Sequence, residues 1–263
     1  MENVASLSPQ QARQLIRAGK LCRPTSGVSQ GYAQANLAIL PKDLAYDFLL
    51  FAQRNPKPCP ILDVTEVGSP EPRLVGSGAD LRYDIAKYRV YRKGEFVEEV
   101  NNLEAYWTKD MVGFLLGCSF SFETALLKND VPVRHIEEGC NVPMFITNIP
   151  CTPASVFSGP MVVSMRPIPE KMVVRAVQVT SRFPAVHGAP VHVGAPESIG
   201  IRDLSKPDFG DAVTVRPGEV PVFWACGVTP QAVAMNTKPE LMITHAPGYM
   251  FICDTTDESY GVI

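Results

Sequence analysis

The sequence predicts an α+β or irregular α/β fold, with mixed sheets and packed helices and without a Rossmann topology. Three observations carry that expectation. Segments of helical period are scattered among many short β-type runs, and the two do not alternate in the way that builds parallel βαβ units. No G-x-G-x-x-G or P-loop stands between a strand and a helix. No repeat of fixed period runs through the chain.

In chain order, Ser8-Pro9-Gln10-Gln11 supplies an N-cap, a proline at the first helical position and a capping-box glutamine, which predicts a helix to about Gly19. The Pro, Ser, Thr and Gly content from Arg23 to Gly31 predicts a loop. Leu44, Ala45, Phe48, Leu49 and Ala52 recur at helical spacing until Asn55-Pro56 ends the pattern. Ile61 to Thr65 reads as a strand, and Tyr88 to Arg92 with Glu95 to Glu98 as a hairpin about Lys93-Gly94. A helix is expected around Leu103 to Leu116, a joint at Gly117 to Ser121 and a second helix from Phe122 to Lys128. Strands are expected at Val131 to Ile136, Met161 to Met165, Val213 to Val215, Val220 to Ala225, Leu241 to Thr244 and Met250 to Cys253, around a helix at about Pro169 to Arg182. The expected organisation is a single compact domain over 1-263 with a peripheral helix and loop at about 1-31, two closely packed lobes being the alternative.

With 263 residues, 46% hydrophobic and 19% charged, the chain has a globular balance and can bury a sizeable core. A net charge of -3 without a basic cluster argues against nucleic acid as a partner. The start, Met1 to Ser6, has no basic stretch before an apolar one, and no run nears the roughly 18 to 20 apolar residues that span a bilayer, so the expectation is a cytoplasmic protein without a membrane partner. Seven cysteines without C-x-x-C spacing fit reduced thiols better than a disulfide framework or a zinc knuckle.

Several polar groups sit where elements end, the usual mounting of functional side chains. Gly117 to Ser121 precedes a helix, so its N–H groups are candidates for a carboxylate or oxyanion; Ser119 and Ser121 are candidate substrate contacts, and Cys118 a candidate nucleophile. An ordinary helix cap is the simpler role. As a strand, Val133 to Glu138 would put His135 and Glu137 on one face as a base and its orienting carboxylate. Ser164 and Arg166 fall on one side of a strand, and Arg182 at a helix end, so both arginines are candidate carboxylate anchors through bidentate hydrogen bonds. His187 and His192 follow as a candidate base and acid. With His245 they make three imidazoles, but the spacing matches no zinc motif, and no metal is expected. Phe223 to Gln231 reads as strand, turn and helix start, with Thr229 as N-cap; Cys226, Gly227, Thr229 and His245 complete the candidate set.

Gly31-Tyr32-Ala33-Gln34-Ala35-Asn36, Gly117 to Glu123, Arg134 to Gly139 and Phe223 to Gln231 together resemble the family of bacterial proteins named "putative hydro-lyase", which is related to D-glutamate cyclase. The likeness runs from about Ser8 to Asp254. It implies a carbon-oxygen lyase, and its cyclase relationship implies conversion of D-glutamate to 5-oxo-D-proline with loss of water. Family members often carry histidine where Tyr249 stands here. The expected assignment gives Arg166 and Arg182 to carboxylate binding, His187 or His135 to proton transfer, and turn N–H groups near Ser119 or Thr229 to an oxyanion. It requires a small carboxylate or amino-acid substrate and no cofactor, and leaves room for a homo-oligomer. A non-catalytic metabolite sensor and a cysteine hydrolase using Cys118 or Cys226 are the competing classes.

Overall fold

A computed structural model describes residues 4–262, so Met1 to Asn3, the start of the stretch read for a targeting signal, lie outside it. The elements in chain order are α1 (Pro9–Arg17), β1 (Tyr32–Pro41), α2 (Lys42–Arg54), β2 (Ile61–Val64), β3 (Tyr88–Arg92), β4 (Glu95–Val100), β5 (Met111–Gly117), α3 (Glu123–Lys128) and α4 (Arg134–Glu138). They continue with β6 (Met144–Pro150), β7 (Pro160–Pro169), α5 (Val173–Ser181), β8 (His192–Val193), β9 (Glu219–Ala225), α6 (Thr229–Thr237), β10 (Met242–His245) and β11 (Phe251–Thr256). Seven strands form one sheet in the order β2-β5-β1-β10-β3-β4, with β11 also on β1; four form a second in the order β6-β7-β9-β8. Every strand pair is antiparallel, for example Ala38↔Thr244 and Ser164↔Trp224. This is the mixed α+β architecture expected, without parallel βαβ units.

Local chemistry accounts for the elements that match. Ser8 Oγ accepts the Gln11 N–H at 3.2 Å and the Gln11 side chain accepts the Ser8 N–H at 2.9 Å, the reciprocal box that starts α1. Arg13 fastens α1 to β11 by donating to the Ile252 carbonyl at 2.7 Å and pairing with Asp254 at 2.9 Å. Helix α2 presses Phe48 and Phe51 onto the large sheet, with Phe48 edge-on to Phe114 at 4.9 Å and to Phe157 at 5.4 Å.

Three elements differ from expectation. Within the stretch expected as a helix from Leu103 to Leu116, Met111 onward is β5, an inner strand buried on both faces, where a continuous apolar run carries no period to tell strand from helix. Val131 to Ile136 is not a strand: Arg134–Glu138 forms a short helix closed by Gly139 at φ 66°. Helical positions two apart do not face each other, so His135 is buried and Glu137 lies outside, paired with Arg134 at 2.9 Å, and the expected His135–Glu137 pair does not form. Val213 to Val215 joins no strand. No helix among the described residues is long and apolar enough to cross a membrane.

Candidate functional site

The charged centre of the molecule is Arg166. On inner strand β7 it has no exposed surface, and burying a guanidinium requires that its donors be met. Its Nη1 donates to Ser164 Oγ at 3.1 Å and its Nη2 to Ser119 Oγ at 3.1 Å. Its Nε donates to Glu123 Oε1 at 3.2 Å, and Nη2 pairs with the same oxygen. Phe122 and Trp224 face the guanidinium at 5.3 and 5.5 Å. Glu123, the first residue of α3, is thereby fixed, and its Oε1 also lies 3.1 Å from His135 Nε2, out of line for a well-formed hydrogen bond. Burial pushes the Glu123 carboxyl up, but His135 and Arg166 outweigh it and hold it below the usual carboxylate range. The 119–122 turn, α3, α4 and β7 therefore converge on one ionised carboxylate.

Behind this network two glycine turns meet. Asn36 Nδ2 on β1 donates to the Gly117 carbonyl at 2.7 Å, and a Cβ at Gly227 would fall 1.8 Å from that nitrogen. A Cβ at Gly117 would fall 2.3 Å from the Ala185 carbonyl oxygen, so the 184–186 turn also seats directly on this spot. That turn ends at His187, held at φ 83°, a conformation a histidine seldom adopts. His187 Nδ1 lies 2.7 Å from the Lys57 carbonyl, which assigns the proton of the neutral ring to Nδ1, while buried Nε2 makes no well-formed hydrogen bond. Burial lowers its pKa to about 4, partly opposed by the Lys57 and Gly117 carbonyls, so the ring is neutral at pH 7.

An open cleft of about 770 Å³ lies between α3, α5 and the 257–260 turn, lined by Ser121, Thr124, Lys128, Arg175, Arg182 and Asp257 among others. A cavity of about 50 Å³ beside the cleft is lined by buried Gln34, Phe120 and Glu123 and by exposed Leu127 and Ile136, among others. The two share a wall at Gly31, Thr124 and Asp257, and Glu123 belongs to the lining of the smaller one. Arg182 stands exposed on the cleft wall, whereas Arg166 lines neither space.

With this geometry in hand, the match to known proteins is decisive. The model of the D-glutamate cyclase family covers residues 112–254. The chain belongs to the D-glutamate cyclase family. It is also 70% identical over 256 residues to a protein named "putative hydro-lyase" from Thermoanaerobacter sp. (strain X514), across 97% of each chain. A like-named protein of Geobacillus kaustophilus (strain HTA426) is 67% identical over 263 residues, all of both chains. The "putative hydro-lyase" YcsI of Bacillus subtilis (strain 168) is 66% identical over 257 residues, 98% of this chain and 100% of its own.

In this member of the D-glutamate cyclase family the expected site residues separate into two groups. Ser119, His135, Ser164 and Arg166 share the network, Ser121 and Arg182 line the cleft, and His187 and Gly227 pack behind. The rest sit elsewhere or are occupied. His192 Nε2 bonds within its own loop, to the Ala195 carbonyl at 3.0 Å. His245 Nδ1 accepts the Leu37 N–H at 3.1 Å inside the large sheet, and burial lowers its pKa to about 4. Tyr249 lies under Lys87 Nζ at 5.1 Å. Thr229 does not cap α6, which begins after Val228; its hydroxyl donates to the Cys226 carbonyl at 2.6 Å and accepts the Val162 N–H at 3.2 Å. Three of the turn N–H groups are engaged: Phe120 N–H points to Cys118 Sγ, Ser121 N–H to the Cys118 carbonyl, and Thr229 N–H to the Cys226 carbonyl. These three are not free donors for an oxyanion. Burial pushes the Cys118 thiol well up and that of Cys226 to about 11, so neither is a ready thiolate. Among the described residues no group of three or more His, Cys, Asp or Glu is placed to hold a metal ion.

Sequence reasoning assigned no role to Glu123 or Asp257. Glu123 had a signal, being the only ionisable carboxyl from Met111 to Leu127, a stretch otherwise apolar, small or hydroxylic. Asp257 had none, since it sits in the polar run Asp254 to Ser259, and only its fold against Gly31 and α3 buries it.

Proposed function

We propose that the chain is a carbon-oxygen lyase of the cytoplasm that closes D-glutamate into 5-oxo-D-proline with release of water. The observation that carries the reading is the adjacency of a cleft bearing Arg182 and a smaller cavity lined by the buried, ionised Glu123, which lies beside His135. In the reaction the α-nitrogen bonds to the γ-carboxyl carbon and one γ-oxygen departs. The ammonium gives up two protons, and both leave on that oxygen as water. The site must therefore hold the chain folded and relay protons from nitrogen to oxygen.

Arg182 suits the α-carboxylate, because its planar fork makes two parallel hydrogen bonds to such a group. In this reading the α-end stays in the larger cleft, and the γ-end takes the smaller cavity of about 50 Å³ that Glu123 lines. There Glu123 and His135 share a contact of 3.1 Å and carry a proton toward the departing oxygen. Arg166 does not bind substrate in this reading. It fixes Glu123 and keeps it ionised. Fixing both ends of a flexible diacid supplies much of the rate, since intramolecular attack from a near-attack geometry has a large effective molarity. A cysteine hydrolase is disfavoured by the un-ionised state of Cys118 and Cys226.

Purified protein incubated with D- or L-glutamate and assayed by chromatography for 5-oxoproline tests the reading. Product from the D-enantiomer is expected. No product from either enantiomer across pH 6 to 9 removes it.

A further inference from the structure

Asp257 is the unexplained group on the shared wall. It opens the turn after β11, and its N–H donates to the Gly31 carbonyl at 3.0 Å, which pins the residue between the cleft and the smaller cavity. It is 6% exposed, yet its Oδ1 makes no well-formed hydrogen bond; its Oδ2 accepts from Thr124 Oγ1 at 3.4 Å, and the Ser121 hydroxyl lies close enough to act on the carboxyl. Ser29, whose buried Oγ is likewise without a partner, lines the same smaller cavity. Buried polar atoms are nearly always satisfied, and two orphans on one cavity wall mark a place where a polar ligand completes the bonding.

The charges around it indicate which ligand. Glu123 and Lys128 border it from α3, Arg175 from α5 and Arg182 from the residue just after α5, and Glu258 is its neighbour, with Lys128 and Glu258 already paired at 3.0 Å. Among the described residues Arg182 makes no ion pair, so it can take an anion, while Asp257 lines the same cleft and Glu123 the smaller cavity beside it. A zwitterionic α-amino acid matches that division: carboxylate toward Arg182, ammonium toward the two carboxyl groups.

We propose that Asp257 is the residue that recognises the substrate amino group, its Oδ1 accepting a hydrogen bond from the ammonium and then its first proton. This rests on the cyclase reading of the cleft and assigns the base that reading lacks. The proton passes from nitrogen to Oδ1 and leaves an amine lone pair able to attack the γ-carbon. Burial raises the Asp257 carboxyl to about 7, with Glu123 adding to the rise and hydrogen bonds from Thr124 and Ser121 and the charge of Lys128 opposing it. A carboxylate with that affinity for a proton accepts one from an ammonium far more readily than an ordinary aspartate does.

The test is calorimetric binding of D-glutamate and of glutarate, the same diacid without its amino group, to wild type and Asp257→Asn. In wild type at pH 8 D-glutamate is expected to bind at least about 10-fold tighter than glutarate, the size of one charged hydrogen bond. Asp257→Asn should bring that ratio near one while leaving glutarate affinity unchanged or improved. As a check that needs no variant, the wild-type ratio should shrink as pH falls from 8 to 6 and Asp257 takes up its proton. Equal affinities in wild type, or a ratio unmoved by the substitution and by pH, overturn the proposal. 5-Oxoproline measured in the same samples keeps the two ideas apart. Amine preference that depends on Asp257 without product retains this inference and removes the cyclase reading; product with the preference intact in Asp257→Asn does the reverse.

Discussion

Arg166 shows how a single residue can be read correctly by type and wrongly by role. The alternation of a strand put Ser164 and Arg166 on one side, and they are hydrogen-bonded at 3.1 Å. Nothing in the sequence said that Glu123, 43 positions earlier, would occupy the guanidinium before any substrate arrived. His135 was likewise singled out for a carboxylate partner, but the partner is Glu123 and not Glu137, because burial of Arg134 and His135 against the body of the protein favours a helical turn over an exposed strand. The pairing predicts its own energetics. Arg166→Met strands a buried carboxylate and is expected to cost about 3–5 kcal/mol of stability in urea unfolding. Arg166→Met combined with Glu123→Gln should recover part of that loss, because no buried charge is then left unpaired. Additive losses in the double variant would mean that the two groups act independently.

At the scale of elements, what was legible was local. The capping box of α1, the Lys93-Gly94 hairpin of β3 and β4, and the Asn55-Pro56 stop of α2 are each set by residues within a few positions of one another. Strand β5 was not legible, because it is enclosed by β1 and β2 and its apolar run serves both faces. The meeting of the Gly117 and Gly227 turns depended on Asn36, which reaches them from a strand 81 residues earlier than the first. Gly227→Ala therefore has a definite consequence: the methyl displaces the Asn36 amide and breaks its bond to the Gly117 carbonyl. We expect a loss of about 1–3 kcal/mol, the usual cost of overpacking, together with impaired turnover from movement of the neighbouring turns. Thermal unfolding and kcat measured on the same variant check both parts.

Across the whole molecule, buried titrating groups set how stability varies with pH. His187 and His245 have folded pKa values of about 4 against an ordinary 6.5, so each favours the folded state above pH 6.5 and withdraws that support as pH falls toward 4. Asp257 runs the other way, its support fading as pH rises from 3.8 through about 7. Between pH 6.5 and 4 the two histidines outweigh the one aspartate by roughly one proton taken up on unfolding. Stability should then fall by about 1.4 kcal/mol per pH unit over that range, seen as a Tm that drops on acidification. Replacing His245 by Gln should flatten the drop. At this scale the α+β class followed from the mixture of periods, but the cleft did not, since it is assembled from Gly31, α3, α5 and the turn at Asp257, segments that only the folded chain brings together. That cleft is the proposed place of the lactam closure, with exposed Arg182 on its wall as the proposed anchor. The most direct measurement is 5-oxoproline formation from D-glutamate by wild type and by Arg182→Ala, with both shown to be folded. Wild type should form product and the variant should lose about 10- to 100-fold in kcat/KM, the worth of a charged hydrogen bond. Equal turnover by the two proteins would place the chemistry elsewhere and contradict the account.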